Sequence, residues 1–267
     1  MQQPLTLLAL NVNEAFSEST NFAKAISRLP EVDRKAVLRF KFEKDKRLAL
    51  GSQLLRRYYF ARYCSKDWRS CQFGAATKHG KPKLLNADRW YDFNISHHGN
   101  WVVLAATDRA DLHVGIDIVC LDDFEESVLN LVKTFGPQLA TDEVDMIMKS
   151  PHPFETFYSF WALKESFIKG LGIGLAVDVK NLNFGKNESS SIRVQPAPKG
   201  SWGFRLDWLD TESLVAVCCG YTAENATLDD DLQRFCQGTQ TIGSRYNPGR
   251  PCCYTKVEID EINNLFA

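Results

Sequence analysis

The sequence predicts a chain that mixes helices with strands, alternating in two similar-sized blocks at about residues 1–108 and 109–222. Three patterns carry that expectation. Apolar runs of strand length recur in both blocks. Longer stretches show apolar residues at helical spacing. Clusters of Gly, Pro, Asn and Ser separate them.

Taken in order, Leu5–Val12 reads as a first strand. Residues 31–63 read as helical, with Leu48, Leu54, Leu55, Tyr58 and Tyr59 forming an apolar face. Thr77-Lys-His-Gly-Lys-Pro82 is a turn. Phe93–Ser96 and Trp101–Ala106 read as strands joined by the hairpin loop His97-His-Gly-Asn100. In Val114-Gly-Ile-Asp-Ile-Val119 the apolar Val114, Ile116 and Ile118 face one way, and Gly115, Asp117 and Val119 the other. Gly115 leaves room beside Asp117 for something bulky to approach. Helical segments follow at about 124–135, 141–149 and 154–171, the last ended by Gly170, Gly172 and Gly174. Strand-like pieces lie near 179–184, 202–209 and 213–220, with a turn-rich loop over 186–201. The tail, 223–267, is polar and irregular until Thr255–Phe266, and both disorder and a small docked helix are open for it.

Composition bounds the function classes. The 267 residues are 44% hydrophobic, enough for a sizeable core. A formal net charge of -1 gives no global field favouring nucleic acid or a membrane. Charge is nevertheless uneven: residues 33–62 hold Arg34, Lys35, Arg39, Lys41, Lys44, Lys46, Arg47, Arg56, Arg57 and Arg62 against Asp33, Glu43 and Asp45. This basic run suits a phosphorylated ligand or an acidic partner, and equally a solvated helix face. The eight cysteines form no CxxC pair, and Cys218-Cys219 sit inside an apolar strand, so buried reduced thiols are expected. Leu5–Leu10 has no basic residue before it, unlike a secretory signal, and no apolar run approaches the ~20 residues that span a bilayer. An intracellular, soluble protein is expected. There is no GxGxxG and no GxxxxGK[ST], so dinucleotide and P-loop readings lack their phosphate loops.

Three stretches could share one site. On the helix over 154–171, Phe157, Trp161 and Ile168 form an apolar stripe, with Glu165 on or beside it and Lys169 four residues later. Glu followed by Lys at that spacing is the favoured order for an ion pair, and the two read equally as an ordinary surface pair. Asp117, alone on an apolar strand, reads as a turn acceptor or as a metal ligand. Two carboxylates on separate rigid elements suit a hard cation such as Mg2+, which takes one or two protein carboxylates plus phosphate oxygens. Adjacent His97 and His98 point opposite ways if their strand continues, leaving at most one for a ligand. Lys78 and Lys81 add anion partners.

Gly80-Lys-Pro82, Phe93-Asn-Ile-Ser-His97, Val114-Gly-Ile-Asp117 and Trp161-Ala-Leu-Lys-Glu-Ser-Phe-Ile-Lys169 occur here in the order and at separations similar to those of Sfp-type 4'-phosphopantetheinyl transferases. The sequence resembles the eukaryotic, cytosolic branch most, the L-aminoadipate-semialdehyde dehydrogenase-phosphopantetheinyl transferases. Detailed similarity covers about residues 30–185. The resemblance implies an α+β fold, a pseudo-twofold pair of similar α+β subdomains with coenzyme A in the cleft between them. It implies transfer of 4'-phosphopantetheine to a serine of an apo acyl or peptidyl carrier protein, of fatty acid synthase or aminoadipate reductase type, releasing adenosine 3',5'-bisphosphate. Carried over residue by residue, Asp117 and Glu165 match the Mg2+ ligands and His97 the contact of the coenzyme's 3'-phosphate. Gly80 and Lys81 match the nucleotide-binding turn, Asn94, Ile95 and Ser96 its neighbouring strand, and Lys169 a lysine beside the pyrophosphate. Glu165, directly or through a metal-bound water, is the candidate general base. Three positions depart from the family pattern. Val119 stands where bacterial relatives place a third acid. Ala36 replaces a basic coenzyme contact for which Lys35 or Arg34, after a one-residue shift, is the substitute, and Ala76 replaces an arginine for which Lys78 is the substitute.

Two rival classes remain at this level: a non-catalytic module with the same fold, and a metallohydrolase using His97, His98 and His113. The second lacks a compact ligand spacing. The expectation is therefore a cytosolic, monomeric, Mg2+-dependent transferase with coenzyme A as co-substrate.

Overall fold

The computed structural model describes residues 4–75, 80–121, 127–172, 178–186, 191–196 and 199–266. It has the expected α+β class. The first half runs β1 (Thr6–Asn11), α1 (Val12–Ala15), α2 (Ser19–Arg28), α3 (Glu31–Leu38), α4 (Glu43–Cys64), β2 (Phe73–Ala75), β3 (Pro82–Leu84), β4 (Asp92–His98) and β5 (Trp101–Thr107). The second runs β6 (Leu112–Cys120), α5 (Val128–Phe135), α6 (Thr141–Lys149), α7 (Pro153–Leu171), β7 (Asn183–Lys186), β8 (Ile192–Gln195), β9 (Ser201–Trp208) and β10 (Ser213–Tyr221). The tail adds α8 (Asp230–Gln237), β11 (Thr255–Lys256) and α9 (Ile259–Leu265).

One plan is used twice. In each half a first strand leads through short helices to a long one, and a hairpin returns beside that strand. The sheet orders are accordingly β1-β5-β4 and β6-β10-β9, all antiparallel, with β11 added parallel to the free edge of β1. Strand alternation sorts the cores. Leu8 and Leu10 of β1 face α4, while Leu7 and Ala9 join Val114, Ile116, Val215 and Val217 in a core between the two sheets. Val119 lies on the α7 side with Phe157, Phe160 and Phe167.

The sheets meet at β4 and β6, and side chains bridge them. The Asp92 carboxylate accepts the Val114 N–H at 2.8 Å, Asn94 Oδ1 the Ile116 N–H at 3.1 Å, and His98 Nδ1 the Cys120 N–H at 3.0 Å. Ser96 Oγ donates to Asp117 Oδ1 at 2.9 Å. Every second residue of β4 therefore holds β6, because alternate side chains of a strand share one face.

Several expectations are corrected. The helix over 31–63 is two helices. Asp33 of α3 pairs with Arg57 of α4, which is 2% exposed, and also with Arg56 at 3.2 Å. On one continuous helix Asp33 and Arg57 would stand about 36 Å apart, so the chain must turn back between them. Part of the basic run is thus core, not solvated face. The hairpin loop shrinks to Gly99-Asn100: β4 continues through both histidines, with His98 opposite Trp101, and Gly99 takes φ +58°. The strand near 179–184 starts late, after a 3-10 turn at Val179–Asn181, and the loop over 186–201 contains β8. Gly115 does admit a close neighbour, but it is the backbone of α7: a Cβ there would lie 2.0 Å from the Ser166 carbonyl oxygen and 2.3 Å from the Gly170 nitrogen. The tail is ordered against both halves: Arg245 pairs with Glu155 of α7 at 2.6 Å and Trp208 of β9 donates to the Ser244 carbonyl at 3.0 Å, while α9 docks on the first half. Phe266 stacks on Trp68 at 4.3 Å, Tyr58 donates to Glu261 at 2.9 Å, and Arg28 donates to the Asn263 carbonyl at 2.7 Å.

Candidate active site

A cavity of about 590 Å³ opens where β4, β6 and α7 meet. Phe157, Trp161, Glu165 and Lys169 line it from α7 at steps of four, one row on the helix surface. Asp117, Ile118 and Val119 come from β6, Ile95, Ser96, His97 and His98 from β4, and Phe135 from α5. The apolar end, Phe135, Phe157 and Trp161, is closed by edge-to-face and stacked rings.

At the polar end, Lys169 Nζ lies 2.5 Å from Asp117 Oδ1 and 3.1 Å from Ser96 Oγ. With the Ser96 hydroxyl also donating to Asp117 Oδ1, the three groups form a closed triangle across both halves. Among the described residues no cation comes within ion-pair distance of Glu165. Its half-buried carboxyl is pushed above the usual carboxylate range, first by burial and then by the neighbouring Asp117, with Lys169 opposing. Burial, Lys169 and His98 push the His97 imidazole down, with Asp45 at the start of α4 opposing.

Two carboxylates facing one open space, with Asp117 raising the proton affinity of Glu165, are a donor set that a hard cation fits. Among the described residues no group of three or more His, Cys, Asp or Glu is arranged to hold a metal. Val119, in the cavity wall, leaves that corner without a third acid. Asp117 and Glu165 therefore suit an ion that completes its shell from water or a ligand's phosphates, and not a transition metal with an all-protein cage.

Residues 17–109 match the family described as 4'-phosphopantetheinyl transferase, N-terminal, and residues 113–219 match the 4'-phosphopantetheinyl transferase superfamily. Over 215 residues the chain is 30% identical to a phosphopantetheinyl transferase of Thraustochytrium sp., covering 75% of this chain and 73% of that one. The chain belongs to the phosphopantetheinyl transferases. This transferase is also 30% identical over 246 residues to 4'-phosphopantetheinyl transferase 1 of Fusarium mangiferae, covering 80% of this chain and 82% of the relative. It is 27% identical over 229 residues to the L-aminoadipate-semialdehyde dehydrogenase-phosphopantetheinyl transferase of Rattus norvegicus, covering 78% and 73%. The family and the eukaryotic likeness read from the sequence both stand.

Of the residues singled out in the sequence, the transferase brings Ile95, Ser96, His97, Asp117, Glu165 and Lys169 into one cavity. Others lie elsewhere. Lys35 is 75% exposed on α3 and pairs with Glu31 at 2.6 Å. Asn94 is buried with its side-chain oxygen on Ile116, in the seam between the sheets. Lys81 is buried against Asp92 and the Gly170 carbonyl. Gly80 has φ +86° with no described residue beyond its chain neighbours within 4 Å of a Cβ there, so its glycine is required by backbone conformation. Lys78 lies outside the described residues. The ion pair expected between Glu165 and Lys169 forms instead between Lys169 and Asp117. Sequence reading missed Asp92 and the seam role of His98. The signal was present as a polar residue at every second position from Asp92 to His98.

Proposed function

We propose that the transferase moves the 4'-phosphopantetheine group of coenzyme A onto a serine hydroxyl of an apo acyl or peptidyl carrier protein and releases adenosine 3',5'-bisphosphate. The observation that carries this reading is the convergence of Asp117, Glu165, Lys169 and Ser96 on one cavity, in a chain of this family. Asp117 and Glu165 would hold Mg2+, which when bound neutralises charge on the pyrophosphate. The serine Oγ–P bond forms as the phosphoanhydride P–O bond breaks. The hydroxyl proton passes to Glu165, whose raised proton affinity brings a carboxylate closer to the working pH of a base. Lys169, directed by Asp117 and Ser96, supplies positive charge where the leaving phosphate becomes more negative. His97, at the cavity mouth, is the contact for the coenzyme's 3'-phosphate, and a phosphate against it would oppose the downward push of Lys169.

Carriers of the fatty acid synthase and aminoadipate reductase types are the proposed acceptors, and action as a cytosolic monomer the proposed setting. Among the described residues no helix is long and apolar enough to cross a membrane. None of the eight cysteines is in a disulfide, which suits a reducing compartment. The test is incubation with coenzyme A, Mg2+ and each apo-carrier, read by intact mass. A gain of one phosphopantetheine per carrier is expected. No gain under conditions where a known transferase loads the same carriers overturns the reading, and full activity in chelator removes the metal from it.

A further inference from the structure

Lys81 resembles a nucleotide-binding residue in sequence, but its surroundings assign it other work. Its side chain is 6% exposed. The ammonium donates to Asp92 Oδ2 at 2.6 Å and to the Gly170 carbonyl at 2.9 Å. Gly170 directly follows Lys169 and belongs to the last turn of α7, whose carbonyls lack intrahelical donors. Gly172, at φ +67°, turns its N–H back to the carbonyls of Ile168 and Lys169, and Lys81 supplies the donor that Gly170 needs. A cation at that helix end also complements its dipole.

The same Asp92 oxygen accepts the Val114 N–H at 2.8 Å. One carboxylate oxygen and one ammonium thus join four elements: the start of β3, β4, β6 and the end of α7. This node sits beside a close backbone contact, where Gly115 of β6 lets the α7 backbone lie directly on the strand. Two residues along β6 is Asp117, and one residue before Gly170 is Lys169, which pair at 2.5 Å. The distance and angle between α7 and β6 at this point set the Lys169–Asp117 geometry.

We propose that Lys81, with Asp92, is a positioning residue that holds the last turn of α7 against β6 from the other half of the molecule, and so sets Lys169 on Asp117, instead of binding the coenzyme. This inference rests on the transferase reading above. Because the node lies behind the cavity wall and does not line the cavity, its loss should misplace the lysine without removing a coenzyme contact. A misplacement near 1 Å at a reacting group is enough to cost on the order of 10²-fold in rate.

The experiment compares Lys81→Met, Asp92→Asn and the double variant with the wild type. It reads kcat and KM in carrier loading, the Kd of coenzyme A by calorimetry, and the melting temperature. Both single variants should lower kcat at least about tenfold while the Kd and KM for coenzyme A stay within about twofold, and the double variant should be no worse than the poorer single. Lys81→Arg, which keeps a cation at the node, should recover part of kcat, and it takes the place of Lys81→Met if the latter does not fold. A tenfold or greater rise in the Kd of coenzyme A for a Lys81 variant alone, with Asp92→Asn unaffected, makes Lys81 a coenzyme ligand and overturns the proposal. A lower melting temperature with kcat intact also overturns it, leaving the node purely structural. A wild type that loads no carrier fails the transferase reading instead, and is distinguished because the coenzyme titration does not need a carrier.

Discussion

The two halves of the chain place the same device at the same address and put different chemistry next to it. Asp33 is the third residue of α3 and Glu143 the third residue of α6. Each pairs with a buried cation on the following long helix, Arg57 or Lys164, seven residues before that helix ends (Arg57 to Cys64, Lys164 to Leu171). Lys164 also donates to the carbonyls of Val179 and Leu182, and Arg57 to those of Trp68 and Cys71. Both cations therefore tie the long helix to the short helix before it and to the loop after it.

One step past the clamp, the halves diverge. The residue after Lys164 is Glu165, at the cavity. The residue after Arg57 is Tyr58, whose hydroxyl donates to Glu261 of the tail helix α9. The first strand of the second half carries Asp117, whereas β1, Thr6–Asn11, carries no carboxylate. Repetition supplied a scaffold twice, and only one copy was given acids at the position where strand and long helix meet. The other copy used that position to dock the tail. The first half still reaches the site, through the polar edge of β4.

The sharpest way to break the comparison is to alter the divergent position in each half. Glu165→Gln should reduce carrier loading at least about 10²-fold with a nearly unchanged melting temperature, whereas Tyr58→Phe should leave turnover intact. Near-normal turnover in Glu165→Gln would remove the base and metal roles assigned to it.

The clamps come next. Removing one partner of a buried pair leaves an uncompensated charge, so Lys164→Met and Arg57→Met should each cost about 3–5 kcal/mol in denaturant unfolding. The paired apolar variant Lys164→Met/Glu143→Leu should recover much of that loss, and Arg57→Met/Asp33→Leu less of it, because Asp33 also pairs with Arg56. Burial pushes Glu143 up and Lys164 down, each opposed by its partner, so the charged pair is held against a desolvation cost that the apolar pair does not have. Only the Lys164 pair should also change turnover, because Glu165 is its neighbour. Equal kinetic effects from both clamps would erase the distinction between the halves.

The tail gives a smaller effect. Phe266 is 2% exposed and stacked on Trp68, so Phe266→Ala should cost about 3 kcal/mol, with the loss of hydrogen-exchange protection concentrated in α4 and α9. Loss of protection centred on α7 would mean that α9 supports the second half.

The smallest effect is the pH response of His97. Its folded-state affinity for a proton is lowered, so its contribution to stability is present above the ordinary imidazole value of about 6.5 and is lost as pH falls through the lower folded value. His97→Gln should flatten the acid-side decline of the melting temperature. Exposure of the ring at the cavity mouth keeps the change small through solvent screening. A steeper decline in the variant would show that the ring is protonated in the fold.

Much of the site was legible in the sequence because it follows from the period of a single element. Asp117 had to face away from Val114, Ile116 and Ile118 once that segment was a strand, and Phe157, Trp161, Glu165 and Lys169 had to share one row once theirs was a helix. Less was legible where a residue's role depends on its neighbour across the fold. Lys81 carried the motif of a ligand contact, and Asn94 that of a cavity strand, yet both are occupied at the seam. Gly115 signalled a close approach without saying what approaches. The tail showed too little apolar periodicity to reveal that Phe266 and Glu261 would find Trp68 and Tyr58.

The chain alone determined which side chains stand together on each strand and each helix, since covalent geometry repeats every two residues in one and every 3.6 in the other. Tertiary structure decided the pairings: Lys169 with Asp117 across 52 residues, and Lys81 with Gly170 across 89. Contacts at such separations have no local periodicity to announce them. They exist because two sheets and two long helices pack in one arrangement, and that arrangement decides which polar atoms can be buried with partners.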